Sequence, residues 1–320
     1  MRVNSKSLLF VVVLATLATS GCSAVSNLLS LPIGQAVKQT IYVGNCGNSS
    51  ITEYPATATG NVSPTVTISG SNTTLGCPYG VAVDKSGNIY VADLSQGTVS
   101  IFSATASGNV APTRQITGIN EPLGVAIDKN GLIYVATIAS ATVLVFAANA
   151  SGAASPASTI DLSGQGFTRT CYLTFDKTGN LWVSDESANH VAEYAPGASG
   201  AATPMRNISG GNSQLSGAYG VAVDGHGNLY VGNYGNPSVN VYGTSATGNV
   251  APNREIIGAA TTFSSPYIPV IRADGVLLVD DSGANSVDVF SKTANGNVAP
   301  AGAISGASTG LSEPWGMAIH

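Results

Sequence analysis

Charge is scarce in this chain. Only 9% of its 320 residues are charged, against roughly 25% in ordinary soluble domains. The net charge is −5 and no basic run occurs, so the electrostatic footprint of a nucleic-acid binder is missing. No apolar run is long enough to span a bilayer, which takes about 20 residues. Helical periodicity is missing after residue 39. Histidine is limited to His190, His226 and His320, which leaves few groups that titrate near neutrality for acid–base chemistry. Disorder is excluded by the apolar residues, which make up 44% and recur regularly.

The first residues are an address. Arg2 and Lys6 precede an apolar run from Leu8 to Thr19, which has the length of a signal-peptide core. The run ends in Thr19-Ser20-Gly21-Cys22. This resembles the lipobox of bacterial lipoproteins, in which a cysteine after small residues is lipidated and becomes the new N-terminus. Thr19 departs from it, since the family prefers Leu there. Residues 1–21 therefore read as a lipoprotein signal peptide, Cys22 as the lipidation site and 22–39 as a tether, with Pro32 and Gly34 interrupting any helix. The implied location is exported and lipid-anchored to a bacterial membrane. Ser23 suits the outer membrane, by resemblance to sorting rules that use Asp there for retention.

The rest of the chain repeats itself. GVAVD at 80–84 returns as GVAID at 124–128, YLTFD at 172–176, GVAVD at 220–224 and, degraded, IPVIR at 268–272; the chain stops at GMAIH, 316–320. A second element follows each full copy: IYVAD at 89–93, IYVAT at 133–137, LWVSD at 181–185, LYVGN at 229–233 and LLVDD at 277–281. A further copy, IYVGN at 41–45, stands at the start. Alternating segments such as VNVY at 239–242 and a short stretch after GNVAP complete the unit. Four short strands in each of six repeats, with Gly-rich turns, predict an all-β, six-bladed propeller over residues 40–320. The first two strands are nearly continuous apolar runs, as expected where both faces pack on neighbouring blades. The third and fourth are expected to alternate. The N-terminal repeat lacks its first strand and the C-terminus ends on one, so Gly316–Ile319 should pair with Ile41–Asn45 and close blade 1.

The stretch DKSGNIYVAD at 84–93 resembles an NHL repeat, as does DKTGNLWVSD at 176–185 with the following Asn189, His190 and Val191. The resemblance covers residues 40–320 and implies a propeller. It does not choose among the lyases, lactonases and partner-binding domains built on such folds. It also implies two faces. Loops between strands two and three, and from strand four to the next blade, form an upper face that usually carries the ligand. Asp84, Asp128, Asp176 and Asp224 fall in lower-face turns, where Asp and Gly suit a tight hairpin.

Two rings of equivalent positions reach the upper face. The ends of the second strands give Asn45, Asp93, Thr137, Asp185, Asn233 and Asp281. Such a ring either holds a divalent cation such as calcium or accepts backbone N–H bonds in the loop that follows; no other cofactor is implied. The inter-blade loops give Tyr79, Leu123, Cys171, Tyr219, Tyr267 and Trp315. The four aromatics among them either surround a ligand or partner site or pack between blades. Cys46 and Cys77 lie on this same face around blade 1, and an exported protein can keep a disulfide between them. Cys171 reads as a buried free thiol.

The favoured function is a membrane-tethered binding or scaffold propeller that holds an envelope protein, peptide or glycan on its upper face and meets the membrane through the lipid anchor alone. The alternative is a lactonase- or lyase-like enzyme with a cation or acid–base site over the channel. Glu121, Glu186 and Glu313 could join Asp93, Asp185 and Asp281 in such a site, but no spacing singles out a pair.

Overall fold

The computed structural model describes residues 38–320; Cys22 and the signal segment lie outside them. Residues from Gln39 onward form one compact unit. It is a ring of six four-stranded antiparallel sheets. Pro78–Val83, Ile89–Asp93, Thr98–Phe102 and Arg114–Thr117 make blade 2, and four later sheets repeat this order. The innermost strand of each blade touches the innermost strands of its two neighbours, so the six strands surround a central channel.

Blade 1 is assembled from both ends of the propeller. Pro314–Ile319 pairs with Thr40–Asn45, with Ile41 opposite Ile319 and Val43 opposite Met317. The Thr40 and His320 backbones also exchange hydrogen bonds of 2.8 and 3.0 Å. Closure in this way removes the open edge that a first or last blade would present.

Burial follows the blade packing. Every residue of the second strands of blades 2 to 6 is buried. Four third strands differ from the expected alternation, since Thr98–Phe102, His190–Tyr194, Ser238–Tyr242 and Ser286–Phe290 are buried throughout, whereas Thr142–Phe146 of blade 3 alternates. In these four blades inter-blade contact therefore reaches one strand further out than the sequence pattern suggests, and the outermost strands are the more open ones. An isolated parallel bridge stitches each outer strand to the next blade, as between Ile68 and Gly108 or Ile208 and Gly248.

The lower turns show why Asp recurs there. Asp84 Oδ1 accepts the N–H groups of Ser86 (2.8 Å) and Asn88 (3.0 Å), and Oδ2 accepts the Asn88 side-chain amide at 2.9 Å. Gly87 supplies the positive φ of 81° that the turn needs. Asp128, Asp176 and Asp224 repeat the cap.

Candidate functional site

The polar ring is turned inward. Asp93 accepts the backbone N–H groups of Gly76 at 2.7 Å, Cys77 at 3.0 Å and Gln96 at 3.1 Å. Asp185 accepts those of Thr168, Arg169, Ser187 and Ala188. Asp281 accepts those of Ser264, Ser265 and Ala284. Asn45 and Asn233 hold Ser312 and Ser216 in the same way, each at 3.2 Å. All five side chains are fully buried. Each Asp ties the incoming inter-blade loop to the turn that leaves its own strand, whereas the Asn45 and Asn233 amides donate across to the hydroxyls of Ser50 and Ser238 on the next strand, so the oxygens that reach the loops are occupied by that work. Thr137 instead bonds to the hydroxyls of Ser140 and Thr142. Among the described residues, no group of three His, Cys, Asp or Glu side chains is placed to hold a metal ion.

With the loops latched, the inter-blade residues converge on the axis. Four rings form an arc around one half of the channel mouth. Tyr234 stacks on Tyr267 at 5.2 Å, Tyr267 lies 4.5 Å from Trp315, and Trp315 lies 4.7 Å from Tyr79. Tyr219 packs edge-on beneath them, 4.8 Å from Tyr267. Tyr219 and Tyr267 are buried, whereas Tyr79, Tyr234 and Trp315 are partly open. The four aromatics read from the sequence thus form one cluster, part packing and part surface. Leu94, Leu123 and Ile138 complete the wall, with Glu121, Arg169 and Glu186 among them, around a bowl of about 330 Å³.

Tyr234 and its equivalents Leu94 and Ile138 escape a reading centred on the polar ring, whereas Glu186, at the same position of blade 4, is among the carboxylates already named. Each stands one residue beyond it, where the chain has left the strand and the side chain faces the axis. The signal was in the repeat at that next position, which holds Leu, Ile, Glu and Tyr in successive blades.

The bowl has a floor. Four blades carry glycine directly after the inter-blade aromatic slot, because the strands approach too closely for a side chain; a Cβ on Gly220 would collide with the Tyr267 carbonyl. Blades 4 and 6 carry Tyr172 and Ile268 instead. Tyr172 reaches across the ring from blade 4 and donates its hydroxyl to the Met317 carbonyl of blade 1 at 3.1 Å. Below it the channel is lined mainly by apolar side chains, Val81, Val125, Val221 and Met317 among them, around a space of about 280 Å³.

Electrostatically the bowl is negative. Glu186 meets Arg169 at 3.3 Å and accepts the Tyr234 hydroxyl at 3.1 Å. Burial, then the charges of Glu186 and Glu313, push the Tyr79 phenol up to about 12. Burial and Glu186 push Tyr234 up to about 12 as well. Tyr219 and Tyr267 shift in the same direction, again chiefly through burial. Cys171 is a buried free thiol, and burial with Glu186 raises its pKa well above the usual thiol value. His190 lies against the Phe167 ring at 4.5 Å, and burial holds its pKa below the ordinary imidazole value. Two buried polar atoms of the bowl residues have no partner within the protein: the Tyr219 hydroxyl and the Trp315 indole nitrogen. Behind the wall, Cys46 and Cys77 are joined in a disulfide, with their Cα atoms 4.1 Å apart.

Comparison with known proteins finds likeness in shape alone. No family model matches the chain, and no curated protein matches it. Among solved structures, a protein of unknown function from Bacteroides caccae superposes with a TM-score of 0.63 at 12% identity, covering 88% of this chain and 98% of that one. A chain of a nidogen–laminin complex gives 0.62 at 14% identity, with the same coverage of 88% and 98%. A catalytically inactive virginiamycin B lyase from Staphylococcus aureus, with quinupristin, gives 0.53 at 13% identity over 78% of this chain and 74% of that one. The likeness is one of fold. At these identities it carries no activity across.

Proposed function

We propose that this chain is an exported, lipid-anchored propeller of NHL type that binds a ligand in its upper bowl, either free or as an exposed group of an envelope protein, peptide or glycan. The bowl carries the proposal. It is a concave, mainly apolar and aromatic site with a few convergent polar groups, at the small end of the volumes that hold ligands. Its two unpartnered donors leave hydrogen-bonding capacity that a ligand or water would meet. The address at residues 1–22 supports the location. The rigid ring supports a preformed site, because its loops are latched by buried carboxylates and amides rather than left to order on binding.

The test uses the full chain in detergent micelles, titrated calorimetrically with size-fractionated envelope peptides and glycans. Trp315→Leu removes a partly open ring from the wall while keeping an apolar side chain. A fraction that binds the wild type should lose binding to this variant, with the melting temperature held within a few degrees. A fraction that binds both equally would move the working surface away from the bowl.

A further inference from the structure

Resting on that reading, we infer that the bowl selects a small organic cation that carries a hydroxyl group, of the amino-alcohol class. The first observation is the sign of the charge around it. The loops of the upper face contain Glu121, Glu186 and Glu313 but a single basic residue, Arg169, and no lysine. That arginine is half exposed and paired with Glu186, so its charge is already answered. The second observation is the wall itself. Tyr267 and Trp315 pack their faces on neighbouring rings, but Tyr79 and Tyr234 end the arc and are partly open; an open aromatic face carries negative quadrupole potential and attracts cations, and the phenols remain neutral hydroxyls. Leu94, Leu123 and Ile138 opposite them suit methyl or methylene groups. The third observation is independent of charge. The Tyr219 hydroxyl, on a side chain only 3% exposed, and the Trp315 N–H have no partner within the protein. An indole N–H only donates, so a ligand that meets it must carry an acceptor such as an oxygen. An anion would face the Glu121 and Glu186 carboxylates with only the already paired Arg169 to offset them, and a plain hydrocarbon would leave the two donors unmet.

Choline and its uncharged isostere, in which carbon replaces the quaternary nitrogen, separate these terms because they share shape and hydroxyl. Binding to the full chain in micelles is read by calorimetry. Choline should bind at least tenfold more tightly than the isostere. Arg169→Gln removes the single positive charge of the face and should tighten choline severalfold while leaving the isostere unchanged. Glu186→Gln leaves Arg169 unanswered and should weaken choline tenfold or more. If Glu186→Gln fails to fold, the Arg169→Gln result decides alone. Equal affinity for the two probes would overturn the inference and leave the bowl as an uncharged ligand site. Weaker choline binding in Arg169→Gln would also overturn it. Failure of both probes to bind, while the envelope fractions still lose binding to Trp315→Leu, would overturn the cation inference alone. Failure of probes and fractions together would remove the binding site as well.

Discussion

Asp288 lies in the third strand of blade 6, only 3% exposed, with one carboxylate oxygen on the Ser286 hydroxyl at 3.1 Å and the other without a partner. Burial, outweighing the Ser286 bond and helped by the charge of Asp281, pushes its pKa from 3.8 up to about 7. The equivalent residue of blade 5 is Asn240, whose amide donates to the carbonyls of Ser213 and Gln214. Asp288→Asn therefore replaces a poorly served carboxyl with the group that blade 5 already uses. The raised folded-state value sets the sign. Below about pH 4 the carboxyl is protonated in both states and costs nothing. As pH rises towards 7 the unfolded chain releases the proton and the folded chain retains it, so stability is lost across that window. A shift of about three units corresponds to an upper bound on the order of 4 kcal/mol, and relaxation around the site reduces it. In a domain of this size each kcal/mol moves the melting temperature by about 2–4 °C. Melting of the full chain in micelles should thus show Asp288→Asn several degrees above the wild type at pH 8 and level with it near pH 4. An equal gain at both pH values, or a loss at pH 8, would refute the reasoning.

Deleting Gly316–His320 removes the inner strand of blade 1 and exposes Ile41 and Val43; soluble expression should collapse, and an unchanged melting temperature would deny the closure. Peptide mapping without reductant should find Cys46 linked to Cys77 and Cys171 free. Cys46→Ser should cost about 3–4 kcal/mol by the chain-entropy argument for a separation of 31 residues, seen as a lower denaturant midpoint than the wild type. Cys22→Ala should abolish incorporation of labelled fatty acid, and label on that variant would place the anchor elsewhere.

The division between what the chain spells out and what only the ring decides follows from the range of the interactions. Strand order, blade number and closure were legible because each rests on a local pattern repeated six times. The apolar runs, the turn Asp with its Gly, and the unpaired strands at the two ends each say the same thing in every copy. The inter-blade slot was legible for the same reason, as Tyr79, Tyr219, Tyr267 and Trp315 recur at one position. The direction of a side chain at a strand end is different. Asp93, Asp185 and Asp281 and the residues just after them look equally suited to the upper face in the sequence. The structure turns the carboxylates inward onto N–H groups of a loop 16 or 17 residues earlier, and gives the axis to Leu94, Glu186 and Tyr234. Tyr172 likewise reads as one more variant of a glycine position until the opposite blade brings the Met317 carbonyl within reach. A repeat specifies what each blade does alone, whereas the bowl, its charge and its floor exist only where six different blades meet at one axis.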